Sequence, residues 1–169
     1  MSRLDVDDTI AAVASPPGPG ARGIIRISGP QTANCLARCV QANTPVQAWR
    51  PGIVQTGILS LEQNADLECE LLFWPDQRSY TRQPSAEIHT IGNPILLSMA
   101  LEQICQHGAR MAEPGEFTLR AFLSGRLDLT QAEAVLAVID ARQEKELGRA
   151  LEQLAGGLSG PLACPAHWR

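Results

Sequence analysis

Glu113-Pro-Gly-Glu-Phe-Thr-Leu-Arg-Ala-Phe-Leu-Ser-Gly-Arg-Leu-Asp-Leu-Thr-Gln-Ala-Glu-Ala134 holds a turn, a short helix, a glycine stop and the start of a longer helix in one run. Residues 116–123 have helical spacing and stop at Ser124-Gly125. Thr130 and Glu133 then have the Thr-x-x-Glu spacing of a capping box, in which hydroxyl and carboxylate each satisfy a free backbone N–H. Ala132, Leu136, Ile139, Leu147, Leu151 and Leu154 trace an apolar stripe beyond it, interrupted by charge at 143–146. Gly156-Gly157 should end one helix of roughly 40 Å, at about 1.5 Å per residue. A lone helix cannot bury such a stripe, so a dimer or larger species is expected. The tail, 162–169, lacks helical period and reads as a frayed end.

Upstream, strands and helices interleave. Residues 9–15 read as a strand, 16–23 as a loop dense in Pro and Gly, and 24–28 as a short apolar strand carrying Arg26. A helix is expected over 31–42, with Cys35, Leu36, Cys39 and Val40 on one face. Strands are expected over 52–59, 67–74 and 86–90, with a turn at 64–66 and a loop over 78–85. Pro94 suits the first turn of a helix running to about His107, with Gly108 as its stop. The fold class is therefore α+β: a mixed sheet with packed helices, followed by a helical segment. The division expected is 1–117 and 118–169.

Composition narrows the function. The chain has 169 residues, enough for one core and little more, and 44% are hydrophobic, which argues against disorder. No apolar run reaches membrane-spanning length, and the acidic N-terminus is no secretory signal. The five cysteines (35, 39, 69, 105, 164) fit no zinc or redox spacing and read as reduced thiols of a cytoplasmic protein. Net charge is −4 with no basic run, so the chain alone is a poor nucleic-acid binder. No GxxxxGK[ST] phosphate loop and no serine-nucleophile motif occurs, and His89, His107 and His167 form no ligand pair. Neither catalytic residues nor metal ligands are expected, and the chain is unlikely to be catalytic alone.

Four motifs in order resemble one family. They are Asp8-Thr-Ile-Ala-Ala-Val-Ala-Ser-Pro-Pro-Gly18; Gly23-Ile-Ile-Arg-Ile-Ser-Gly-Pro30; Ser79-Tyr-Thr81 with Glu87-Ile-His89; and 113–134, continued by Ile139-Asp-Ala-Arg142. Together they resemble the tRNA modification GTPases of the MnmE (TrmE) family, at the N-terminal domain and its junction with the helical domain. The resemblance implies a folate-binding fold like that of aminomethyltransferases, and a homodimer made through it. It further implies a formyl-tetrahydrofolate-type cofactor, such as 5-formyltetrahydrofolate, contacted at positions matching Arg26, Glu87 and Arg126. The implied partners are an MnmG (GidA)-like flavoprotein and tRNA, whose wobble uridine (U34) is modified; no membrane is involved. A GTPase domain, with its GTP, magnesium and potassium, should follow, and the chain ends before it.

The residue types suit a reduced pterin. A carboxylate such as Glu87 can accept from a ring N–H and a neighbouring amino group together. Arg26 or Arg126 could pair with the anionic glutamate tail or with a carbonyl. The plainer alternatives are a solvent-facing Glu87 and an Arg26 that pairs with a carboxylate across the sheet. Departures from the family cluster in the expected cofactor loops. Gly-Arg-Gly-Gly becomes Gly18-Pro-Gly-Ala21, Gly-Glu-Asp becomes Arg82-Gln-Pro84, and His-Gly-Gly becomes Ile91-Gly-Asn93, where Asn tolerates a left-handed backbone. They leave open a second function, a non-catalytic dimerisation or interaction module without cofactor. A stand-alone aminomethyltransferase is a weaker third, because the chain is short and no catalytic acid stands out.

Overall fold

The structure, a computed structural model, describes residues 6–61 and 66–156. The chain divides into two compact units, residues 1–117 and 118–169.

The first unit is built on a sheet of seven strands among the described residues: β1 (Ile10–Val13), β2 (Gly20–Ser28), β3 (Val40–Ala42), β4 (Gln55–Ser60), β5 (Asp66–Trp74), β6 (Ser85–Gly92) and β7 (Arg110–Met111). Their spatial order is β3-β4-β5-β6-β2-β1-β7. All pairs are antiparallel except β1 with β7, which makes the sheet mixed. Helices α1 (Thr32–Cys39) and α2 (Pro94–Gln106) supply the other half of the core.

Alternation fixes which face is buried. Ile25 and Ile27 of β2, Leu71 and Phe73 of β5, and Ala86 and Ile88 of β6 point into the core with Leu36, Cys39, Leu97, Ala100 and Ile104 from the helices. The intervening residues, Arg26, Glu70, Glu87 and His89 among them, must therefore lie on the opposite face. Cys35, Cys39 and Cys69 are buried free thiols, and Cys105 is a partly buried one. Burial pushes Cys39 up to about 12 and Cys69 up to about 11, so both stay protonated and inert as nucleophiles.

Several boundaries differ from the sequence expectation. The helix expected over 31–42 stops at Cys39, because Val40 leaves to pair with Leu59 in β3. The glycine-rich loop is shorter than expected: β2 starts at Gly20, which pairs with Gly92 across an irregularity in register before Gly23. A Cβ at Gly92 would sit 2.6 Å from Gly20 O and 2.9 Å from Arg22 O, so this approach requires glycine. β7 was not foreseen; two residues give no periodicity to read. Asn93 is not left-handed. It has φ −102° and caps α2, its Oδ1 accepting from the N–H groups of Ile95 (2.9 Å) and Leu96 (3.2 Å). The turn expected at 64–66 and the tail lie largely or wholly outside the described residues.

Helix α3 (Glu116–Leu123) ends, as its sequence indicates, at Gly125, φ 71°. The long helix does not form as one piece. The second unit contains α4 (Leu129–Asp140) and α5 (Glu144–Leu154), separated at 141–143. The charged interruption is the break itself: Glu146 accepts from the backbone N–H of Arg142 (3.1 Å), and Glu144 and Glu146 place negative charge at the N-terminus of α5. Gln131 Nε2 donates to Leu154 O (3.3 Å) and Gln153 Nε2 to Thr130 O (3.4 Å), so the two helices run antiparallel as a hairpin. The capping box also falls two residues earlier than read. Asp128 is the N-cap, accepting from Gln131 N (2.7 Å), while Gln131 Oε1 accepts from Asp128 N (3.0 Å). Asp is a better N-cap than Thr, and both pairs have the required spacing. Leu129, Leu136, Ile139, Leu147 and Leu151 remain exposed on the hairpin.

Candidate functional site

β2 and β6 are neighbours, and their register sets Arg26 directly opposite Glu87. Arg26 Nε and Nη2 both donate to Glu87 Oε1, at 3.1 and 2.8 Å. His89, two residues along the same strand and so on the same face, has Nε2 3.1 Å from Glu87 Oε2. The three side chains are 37%, 21% and 13% exposed for Arg26, Glu87 and His89, so the carboxylate is half-buried. The guanidinium carbon of Arg26 lies 5.9 Å from the centre of the Phe117 ring, within reach of a cation–π contact.

Burial alone pushes the Glu87 carboxyl up. The hydrogen bonds from Arg26 and His89, with their charges, more than offset it and hold the carboxyl below its ordinary value. Glu87 is thus an anion at neutral pH, with an acceptor position still open on Oε2. Arg26 pairs with a carboxylate across the sheet, as the plainer alternative has it, and that carboxylate is the other expected site residue. The solvent-facing Glu87 is set aside by its two partners.

Arg126 belongs to the second unit, where its backbone N–H donates to Ala121 O at 2.9 Å as α3 closes. The structure therefore brings Arg26 and Glu87 together, and Arg126 stands in the other unit. His89 and Phe117 were not foreseen as members of this group. His89 had a signal, since i and i+2 on a strand share a face; Phe117 had none, because its proximity to Arg26 depends on the path of the chain over the sheet.

The Ser79-Tyr-Thr81 motif has a structural task beside the pair. Ser79 Oγ donates to Gln83 O (2.6 Å) and accepts from Gln83 N (3.1 Å), closing the turn. Thr81, 1% exposed, shares a 2.6 Å hydrogen bond with Ser28 at the end of β2. Arg82, where the resemblance implies a glycine, has φ 56°. The backbone keeps the left-handed shape that glycine favours, at a local conformational cost.

The segment 113–117 is held by a second ion cluster. Arg110 donates to Glu116 Oε2 and Oε1 (2.8 and 2.6 Å) and to Asp8 Oδ2 (2.5 Å). The Glu116 side chain is 2% exposed and also accepts from Glu113 N (2.9 Å). This lock fixes the residue immediately before Phe117. An open concavity of about 970 Å³, lined by Arg22, Thr56, Glu68, Glu70 and His89 among others, lies on the face that carries Glu87. Among the described residues no three His, Cys, Asp or Glu side chains gather as a metal-ligand set, and no helix is long and apolar enough to cross a membrane.

The donor set is a fixed anion with one strong cation beside it. It suits a ligand that presents adjacent N–H groups and carries negative charge elsewhere. Residues 9–126 match the family model described as the N-terminus of the GTP-binding protein TrmE. Among curated proteins, the chain is 51% identical over 159 residues to a tRNA modification GTPase MnmE of Rhodopirellula baltica, covering 94% of this chain and 34% of the relative. It is 45% identical over 158 residues to that of a Roseiflexus species (92% and 34%), and 40% over 154 residues to that of Thermotoga petrophila (89% and 33%). The chain thus spans about a third of the length of the curated relatives it matches.

Proposed function

The chain belongs to the TrmE N-terminal family, and from that premise we propose that it is the reduced-folate-binding, dimer-forming part of a tRNA modification GTPase of the MnmE type. In this reading Glu87 accepts from the paired N–H groups of a reduced pterin. Arg26 and Arg126 bind its carbonyl or its anionic tail. A formyl-tetrahydrofolate-type cofactor supplies a one-carbon unit. Two copies associate and, with an MnmG (GidA)-like flavoprotein, serve the wobble uridine of tRNA in the cytoplasm. GTP hydrolysis belongs to the further length that the relatives have and this chain does not span.

The observation that carries the proposal is the cross-strand pair of Arg26 and Glu87, with the half-buried carboxylate held below its ordinary value. Isothermal titration of the chain with 5-formyltetrahydrofolate tests it. Heat of binding that disappears in Glu87→Ala supports it; no heat at ligand well above micromolar defeats it. Light scattering at tens of micromolar tests the assembly, a strictly monomeric chain being the contrary result.

The second reading, an interaction module without cofactor, draws on the substituted loop at 82–84. Arg82 there takes a left-handed backbone, φ 56°, the conformation that glycine favours. The same titration separates the two.

A further inference from the structure

A carboxylate offers roughly four acceptor positions, two on each oxygen. At Glu87, Arg26 takes both on Oε1 and His89 takes one on Oε2. A ligand with two adjacent N–H donors needs one position on each oxygen. Oε2 has one to give. Oε1 has none until Arg26 withdraws a hydrogen bond, and the longer one, from Nε, is the natural one to go.

The two partners of Glu87 differ in freedom. Arg26 is the most exposed of the three side chains and stands on a long, flexible stem; His89 is the least exposed. The imidazole of His89 has a single polar partner: Nε2 faces Glu87, while Nδ1 is buried without one. The ring is therefore committed to the carboxylate and to nothing else. The other groups around Glu87 do not compete for this role. From β2 come Arg26 and Ile24, from β5 Leu72 and Glu70, and Glu70 is already paired with Arg22 (2.5 Å).

We propose that His89 is the positioning residue of the folate site: it holds the Glu87 carboxylate in plane through Oε2 while Arg26 exchanges that carboxylate for the ligand. The proposal rests on the reduced-folate reading above and adds to it an anchor that stays and a cation that moves. His89 acts through Glu87 and need not touch the ligand.

The test is calorimetric titration of 5-formyltetrahydrofolate into the chain and into His89→Ala, His89→Gln and Glu87→Ala, between pH 5 and 8. His89→Ala weakens binding about tenfold, the effect of losing one hydrogen bond to a charged group. His89→Gln, whose amide N–H can still reach Glu87, stays within about threefold of the parent. The pH profile separates positioning from mere packing. Without the His89 donor the carboxyl takes up a proton more readily, so in His89→Ala the affinity falls away at a higher pH on acidification than in the parent. If His89→Ala does not fold, His89→Asn, too short to reach Glu87, replaces it with the same expected loss. Parental affinity and pH profile in His89→Ala, with binding abolished in Glu87→Ala, would overturn the role of His89 and leave the folate site standing. No binding by the parent chain would overturn the folate reading, and this inference with it.

Discussion

Replacing Arg110 with methionine should destabilise the first unit by about 4 kcal/mol. The larger share comes from Glu116. Its side chain is 2% exposed, and Arg110 engages both carboxylate oxygens at 2.6–2.8 Å. Removing one partner of a buried ion pair leaves a charge in a poor solvent, typically a loss of about 3–5 kcal/mol. Glu116 keeps the Glu113 N–H and its other contacts, which argues for the lower end. The Asp8 arm adds little. Asp8 and Arg110 are 29% and 39% exposed, and pairs screened to that degree contribute about 0.5–1 kcal/mol. The assay is urea unfolding followed by the fluorescence of Trp49 and Trp74. Adding Glu116→Gln to Arg110→Met removes the charge that Arg110 no longer offsets while keeping an acceptor for Glu113 N–H, and should recover about 2 kcal/mol. In the parent the same Glu116→Gln change should destabilise. That reversal of sign is the coupling signature of a double-mutant cycle. A loss below 1 kcal/mol, or additive effects in the cycle, would refute the view that Arg110 and Glu116 act as one lock.

Three further outcomes follow from single features. Arg82→Gly should be more stable to urea than Arg82→Ala by about 1 kcal/mol, since both remove the side chain's contacts and only alanine keeps the strain of φ 56°; equal stability would place no strain there. Asp128→Ala should cost about 1 kcal/mol and Thr130→Ala well under half of that, because Asp128 is the true N-cap of α4; helicity by circular dichroism and thermal melting read the difference, and the reverse order would restore the cap to Thr130. Glu87 is held below its ordinary value, so it contributes stability that is present above its unfolded pKa, about 4.3, and disappears as pH falls through the lower folded value. The stability difference between the parent and Glu87→Gln should therefore be widest at neutral pH and close in acid, and a difference independent of pH would contradict the pairing.

How much of this was legible in the sequence depends on the range of the interaction that decides each feature. Strands β5 and β6 could be read because alternation is local: Leu67, Cys69, Leu71 and Phe73 occupy every second position. α2 could be read because Pro94 and Gly108 bracket a helical pattern. The errors arose where two local readings were equally good. Val40 fits the apolar face of α1, yet as a β-branched residue it fits a strand better, and its pairing with Leu59 lies nineteen positions away and cannot be seen locally. Two capping boxes overlap at 128–133, and the spacing rule alone does not choose between them. The apolar stripe from Leu136 to Leu154 continues through the break, because helices in a hairpin present the same kind of face as one long helix.

The site shows the same division more sharply. Composition of the pair, a cation and an anion in strands, is visible in the sequence, but its meaning is set by register. A slip of one residue between β2 and β6 would turn Arg26 into the core and set Glu87 against an isoleucine. What holds the register is apolar: Ile25 opposite Ile88 and Ile27 opposite Ala86, all fully buried, on the other face from the ion pair. The charged pair is thus a consequence of packing on the far side of the sheet rather than its cause. It follows that a binding function here can be lost through Arg26 or Glu87 with the fold intact, whereas changes at Ile25 or Ile88 remove both. The departures noted from the resemblance, at 19–21, 82–84 and 91–93, fall in the turn at 82–84 and at the ends of β2 and β6, away from the buried pairs that set the register.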